Sequence, residues 1–136
     1  MPTPLLILEE GLYLLLTQNA SITALTGPNG IYLNSVPEDA HDPCMCIQKI
    51  SSAPDSTNDG PSGLNIRRYQ FSFYSTSYPN AVRLSETTRQ AIDGFTGHLP
   101  NGQRVFNIIR DNEIDGFNDQ SGSQRTITDY FIHFAE

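Results

Sequence analysis

The sequence predicts an α+β fold: a largely antiparallel sheet of about five strands with two main helices packed on one face. Three observations predict it. Apolar residues recur at helical spacing near the start (Leu5, Leu8, Leu12, Leu15, Leu16) and again over residues 79–95. Residues 67–75 alternate with period two, Tyr69, Phe71 and Phe73 opposing Arg68, Gln70 and Ser72. Most of the strand candidates follow one another through loops rather than helices, which favours antiparallel neighbours.

Taken in order, Thr3-Pro4 reads as a helix start, a capping hydroxyl followed by proline in the first turn. The helix runs to about Gln18. Ile7 and Leu14 lie almost opposite its main stripe, so a second surface is needed to cover them; Glu9 falls near the stripe without an evident partner. A short helix over Ser21–Leu25 stops at Gly27-Pro28. Ile31–Leu33 is a short strand, Asn34–Pro43 a loop, and Cys44–Ser51 a strand partly buried on both faces. Ser52–Asn65 is a long Ser/Pro/Gly/Asp/Asn connector, longer than a hairpin needs. Strand Arg67–Ser75, helix Pro79–Asp93 closed by Gly94, and strands Val105–Ile109 and Thr126–Phe134 follow, with Asp111–Ser123 as a polar turn region.

Length and charge narrow the function. A chain of 136 residues is expected to form one domain, 1–136. Lys plus Arg number 8 against 15 Asp plus Glu, for a net charge of -7. That balance excludes a protein whose main work is gripping phosphate backbones. An apolar content of 38% is too high for a disordered chain. No apolar run reaches the ~18 residues of a membrane span. No cation precedes Leu5–Leu8, and Glu9 and Glu10 follow at once, the reverse of a secretory signal, so folding in a cytoplasm is expected. Cys44 and Cys46 fit that setting as free thiols, because two-residue spacing on a strand strains a disulfide.

Candidate chemistry is sparse. Asp111-Asn112-Glu113-Ile114-Asp115-Gly116 resembles half a calcium loop, but its twelfth position is Gly122 and its flanks read as strands; a hairpin turn at Asp115-Gly116 explains it better. Cys44-x-Cys46 supplies two soft ligands where a closed zinc site needs four. An enzyme would need at least two of Cys46, His98, His133 and Asp129 to converge in a cleft. Gly60-Pro61-Ser62-Gly63 lacks the lysine of a phosphate loop. Asn19-Ala20-Ser21 is a formal glycosylation sequon, expected to be without meaning in a chain that folds in a cytoplasm. Seven of the eight cations are arginines; Arg67 and Arg68 open the clearest strand, and arginine suits bidentate pairing across subunit contacts.

The order of segments carries a resemblance. Glu10-Gly11-Leu12 leads to Ile22-x-Ala24-Leu25, Gly27 and Ile31-Tyr32, then Val36-Pro37 and Pro43 before Ile47-x-Lys49-Ile50. Asp59-Gly60-Pro61-Ser62-Gly63-Leu64, the strand Tyr69-Gln70-Phe71-Ser72-Phe73-Tyr74, Tyr78 before Ala81, and Ala91-Ile92-Asp93-Gly94-Phe95-x-Gly97 complete the series. This order resembles the tail-completion, or tail-terminator, family of tailed bacteriophages, from about Leu8 to Phe134. The resemblance implies a virion protein without enzymatic activity or cofactor. It implies a ring, commonly a hexamer, that caps the tail tube, ends tube polymerisation and joins the tail to the head connector. The expected partners are then further copies of itself, the tail-tube protein and the connector protein, with no membrane. Genomic DNA would pass through without specific binding, as an acidic channel allows. On this reading Asp55, Asp59, Gly60, Pro61, Ser62, Gly63 and Leu64 form a docking loop. Ile7, Leu14, Arg67 and Arg68 belong to a subunit interface, and Asp111, Glu113, Asp115 and Asp119 face the channel. Another neck, head-completion or minor tail protein of the same particle would share these features.

Overall fold

The computed structural model describes residues 8–37, 39–51, 64–118 and 123–135. Helix α1 spans Leu8–Thr17 and α2 spans Ala20–Thr26. Strands β1 (Ile31–Leu33), β2 (Cys44–Ser51) and β3 (Leu64–Ser75) precede helix α3 (Tyr78–Ile92). Strands β4 (Gly97–His98), β5 (Arg104–Asn118) and β6 (Ser123–Ala135) complete the order. The architecture is α+β, as the periodicities predict. The start of the first helix at Thr3-Pro4 lies outside the described residues.

Local chemistry sets the helix ends. Asn19 caps α2, its side-chain oxygen accepting the Ile22 N–H at 3.1 Å, so the asparagine of the sequon serves a backbone role. Gly27 ends that helix at φ +71°, a left-handed conformation that favours glycine. Helix α3 begins with Pro79 in its first turn, where the missing N–H is not needed.

The sheet has six strands in the order β1-β2-β3-β6-β5-β4. The sheet is largely antiparallel, as expected, with one parallel pair: β1 runs parallel to β2 with Ile31 beside Met45. The strand count is six rather than about five. The added strand β4 is two residues long, too short for any period to reveal.

The core lies between the helices and one face of the sheet. Tyr69, Phe71 and Phe73 of β3 and Tyr130 and Ile132 of β6 are buried there with Leu12 and Leu16 of α1, Ile22 of α2, and Leu84 and Ile92 of α3. Phe71 meets Tyr130 edge-on at 5.0 Å between ring centres. Strand β2 is buried on both sides near its start: Met45 and Ile47 enter this core, while Cys44 and Cys46 are buried against the other face. The two cysteines are free thiols.

The largest correction concerns residues 111–123. Strand β5 continues to Asn118 and pairs with β6 throughout, Asp115 opposite Thr126 and Gly116 opposite Arg125. Asp115-Gly116 is therefore strand, and the pairing runs on to Asn118 opposite Ser123. Asp111, Asn112, Glu113 and Ile114 are all exposed, so no alternation is imposed on this stretch. Leu64 and Asn65 likewise leave the expected connector and open β3, opposite Ala135 and Phe134.

Candidate functional site

The sheet face turned away from the helices divides into two regions. At the β1–β2 end, Cys44, Cys46 and Ser72 are buried, and the segment leading into β2 is tied back by Gln48 Nε2 donating to the Asn34 carbonyl at 3.1 Å. A cleft of about 290 Å³ opens beside it, lined in part by Val36, Pro37, His41, Asp42, Cys44 and Tyr74. Asp42 anchors the segment: its carboxylate accepts from Ser75 Oγ (2.6 Å), Thr76 Oγ1 (2.7 Å) and the Thr76 N–H (3.2 Å). Burial by itself raises the Asp42 pKa, but these hydrogen bonds and nearby His41 outweigh it and hold the group below its ordinary value of 3.8.

A depressed carboxylate contributes stability that is present above its unfolded pKa and is lost as pH falls through the folded value. Asp42→Asn is therefore expected to flatten the acid limb of stability below about pH 4. At neutral pH it costs less than about 1 kcal/mol, because the group is largely solvent-screened. Urea titrations at pH 7 and pH 3 check this, and an unchanged difference between the two would refute it.

The thiol that lines this cleft is held in its neutral form. Burial and the neighbouring Asp42 push the Cys44 thiol up to about 11, away from the thiolate that catalysis needs. Burial raises Cys46 as well. None of Cys46, His98, His133 and Asp129 lines the cleft. Among the described residues, no three His, Cys, Asp or Glu side chains gather to hold a metal.

The second region, over β3, β6 and β5, is open and mixes charge with apolar surface. Arg68 sits at its centre, Nε donating to Asp129 Oδ2 at 3.1 Å and Nη2 donating to the same oxygen, with Asp111 at 3.8 Å. Its guanidinium also lies 5.4 Å from the centre of the Phe131 ring. Around it stand Ile109, paired with Phe131, and Ile114, paired with Ile127; these isoleucines are 43% and 56% exposed.

The residues singled out by sequence are thus dispersed. Arg67 points to the helix side, 4.8 Å from the Phe134 ring centre and 3.5 Å from the Tyr69 hydroxyl. Arg68 is on the opposite side, so the two arginines share no surface. Leu14 lies half-buried on α1, and Ile7 is outside the described residues. Asp111 and Glu113 also part company: Asp111 approaches Arg68 on the open face, whereas Glu113 accepts from Ser85 of α3 at 3.3 Å and pairs with Arg110 at 3.2 Å. Asp115 lies in β5. Asp55, Asp59, Gly60, Pro61, Ser62, Gly63 and Asp119 lie outside the described residues. Glu9 gains an explanation, since it interacts with the buried Tyr69 hydroxyl beside Arg67.

The outer edge of β5 was not anticipated. Strand β4 covers it only at Arg104 and Val105. The turn after α3 covers the next part: the Gly94 N–H donates to the Ile108 carbonyl at 2.7 Å, and the Arg110 N–H donates to Asp93 Oδ1 at 3.2 Å. Among the described residues, no strand pairs with the outer side of Asp111–Asn118.

The open sheet face, which mixes charge with exposed apolar side chains, suits contact with other proteins. Comparison with known proteins agrees. The sequence model of the family described as tail completion protein gp17 matches residues 10–128. The chain belongs to this family. Tail completion proteins are structural proteins of the virion, which places the chain in the tail or neck of a phage-like particle and outside the enzymes. Among solved structures, a chain from the virion of a native gene transfer agent particle has the same fold, with a TM-score of 0.76 at 12% identity. The match covers 95% of each chain. No curated protein matches.

Proposed function

We propose that this tail completion protein acts as a single tail-terminator domain, residues 1–136, copies of which close into a ring on the finished tail tube. The ring, a hexamer by the family resemblance, ends tube polymerisation and joins the tail to the head connector while leaving a passage for DNA. Membership of the tail completion family over residues 10–128 is the observation that carries this reading. A ring needs a head-to-tail contact between unlike surfaces of one chain. Leu14 on α1 and Arg68 on the opposite sheet face are the residues we assign to it, together with Ile7; Arg67 supports the helix side through Tyr69.

The net charge of -7 supports a conduit that does not hold its cargo. We assign the lining to Asp111, Glu113, Asp115 and Asp119, of which Asp111 and Glu113 each stand beside an arginine. The connector around Asp55, Asp59 and Gly60–Gly63 is the docking loop toward tube or connector protein, with Leu64 as its anchor in β3.

Particles made without this gene test the assignment. Overlong or unattached tails are expected. Filled heads that leak DNA, with tails of normal length, would instead assign the chain to head completion.

A further inference from the structure

We infer that the outer edge of β5, from Asp111 to Asn118, is a docking strip for an extended segment of another virion protein. That segment adds as a further strand, and its residues alternate between Lys or Arg and an aliphatic side chain.

An unpaired strand edge presents backbone N–H and C=O groups ready to bond a partner strand. Here the fold covers the edge up to Arg110 and then stops, leaving Asp111–Asn118 bare among the described residues. The charges that often guard such an edge are drawn off to either side. Asp111 is turned to Arg68 on the open face, and Glu113 to Ser85 and Arg110 on the helix side.

The flanking side chains set the partner's pattern. On the open face an added strand would lie beside Ile109 and Ile114, two of the most exposed large apolar residues described. An aliphatic side chain there would remove both from water. The bare stretch holds three acids, Asp111, Glu113 and Asp115, with no Lys or Arg, in a chain of net charge -7, so a cation is favoured beside it.

Charge also decides against a second copy as the occupant. Two β5 edges paired with each other would set acids against acids. The other edge strands of this sheet, Ile31-Tyr32-Leu33 and Gly97-His98, contain no Lys or Arg. Six of the chain's eight cations are already engaged within the fold. The strip therefore fits a basic partner of different sequence. This inference does not depend on ring closure.

The test uses the full-length protein and a synthetic peptide, acetyl-(Lys-Val)4-amide, with acetyl-(Glu-Val)4-amide and acetyl-(Lys-Gly)4-amide as controls. Binding of the Lys-Val peptide should slow hydrogen exchange at the Asp111–Asn118 amides. Both controls should bind at least tenfold more weakly. Ile114→Lys, at an exposed position that leaves the fold intact, should weaken Lys-Val binding at least tenfold. Three results would each overturn the proposal: no binding at millimolar Lys-Val peptide, binding that leaves those amides unprotected, or equal binding by Ile114→Lys. Protection that appears on raising protein concentration alone would give the edge to a second copy and equally refute it.

Discussion

Phe71→Ala should lower the unfolding free energy by about 4 kcal/mol, the usual loss when a buried phenylalanine leaves a cavity. Phe71 is fully buried at the centre of the sheet. Its ring touches Tyr130 on the neighbouring strand, and the Phe73 ring centre is 6.4 Å away. The loss combines removed apolar area, the cavity and the edge-on aromatic contact. Thermal unfolding should shift by roughly 15 °C for a chain of this size. Phe71→Leu refills most of the space and should cost about 1.5 kcal/mol. Equilibrium unfolding in urea measures all three proteins. A loss below about 1 kcal/mol for the alanine variant would mean that the core does not lie on this face.

Gly30→Ala should destabilise the protein by about 3 kcal/mol, through crowding rather than through φ. A Cβ at Gly30 would stand 2.2 Å from the Thr26 carbonyl oxygen and 2.8 Å from Thr26 Cβ. Neither group yields easily. Thr26 is fully buried at the end of α2, its hydroxyl donating to the Gly27 carbonyl at 2.8 Å. Gly30 cannot retreat without cost, because its own carbonyl accepts the Met45 N–H at 2.9 Å where β1 joins the sheet. Gly102→Ala is the control. It has φ +96° but no atom within 4 Å of a new Cβ, so only the backbone strain of about 1 kcal/mol should appear. Equal losses at the two glycines would refute the crowding argument.

These two sites also mark what the sequence makes legible. Phe71 sits in a strand where Tyr69, Phe71 and Phe73 alternate with the polar Arg68, Gln70 and Ser72, so strand and core side are read together, even though Ser72 is itself buried. Helix α3 is legible for the same reason, with Ala81, Leu84, Thr88 and Ile92 buried at helical spacing. The second half of β5 is not. Asp111–Ile114 are exposed and backed only by a neighbouring strand, so polar residues suggest a turn where pairing with β6 makes strand. The parallel β1–β2 pair rests on three residues, too few to carry a period.

The surfaces were still less legible. Arg68 and Asp129 are 61 residues apart in the chain, and only the pairing of β3 with β6 brings them together. Sequence placed Arg67 and Arg68 in one interface, but neighbours on a strand point to opposite faces. The β5 bulge breaks that alternation, so Asp111 and Glu113, two apart and expected on one face, end on different sides. The free edge of β5 follows from where β4 and the α3 turn stop, and no residue type announces that.

The central claim is closure of identical copies at the end of the tail tube. Its most direct test is the mass of the purified protein mixed with assembled tail tubes, together with electron images of the tube ends. The account predicts one multi-copy closed ring at an end, with a central opening, and no further growth when tube protein is added. Single copies scattered along the tube, or tubes that keep lengthening beneath the bound protein, would contradict it.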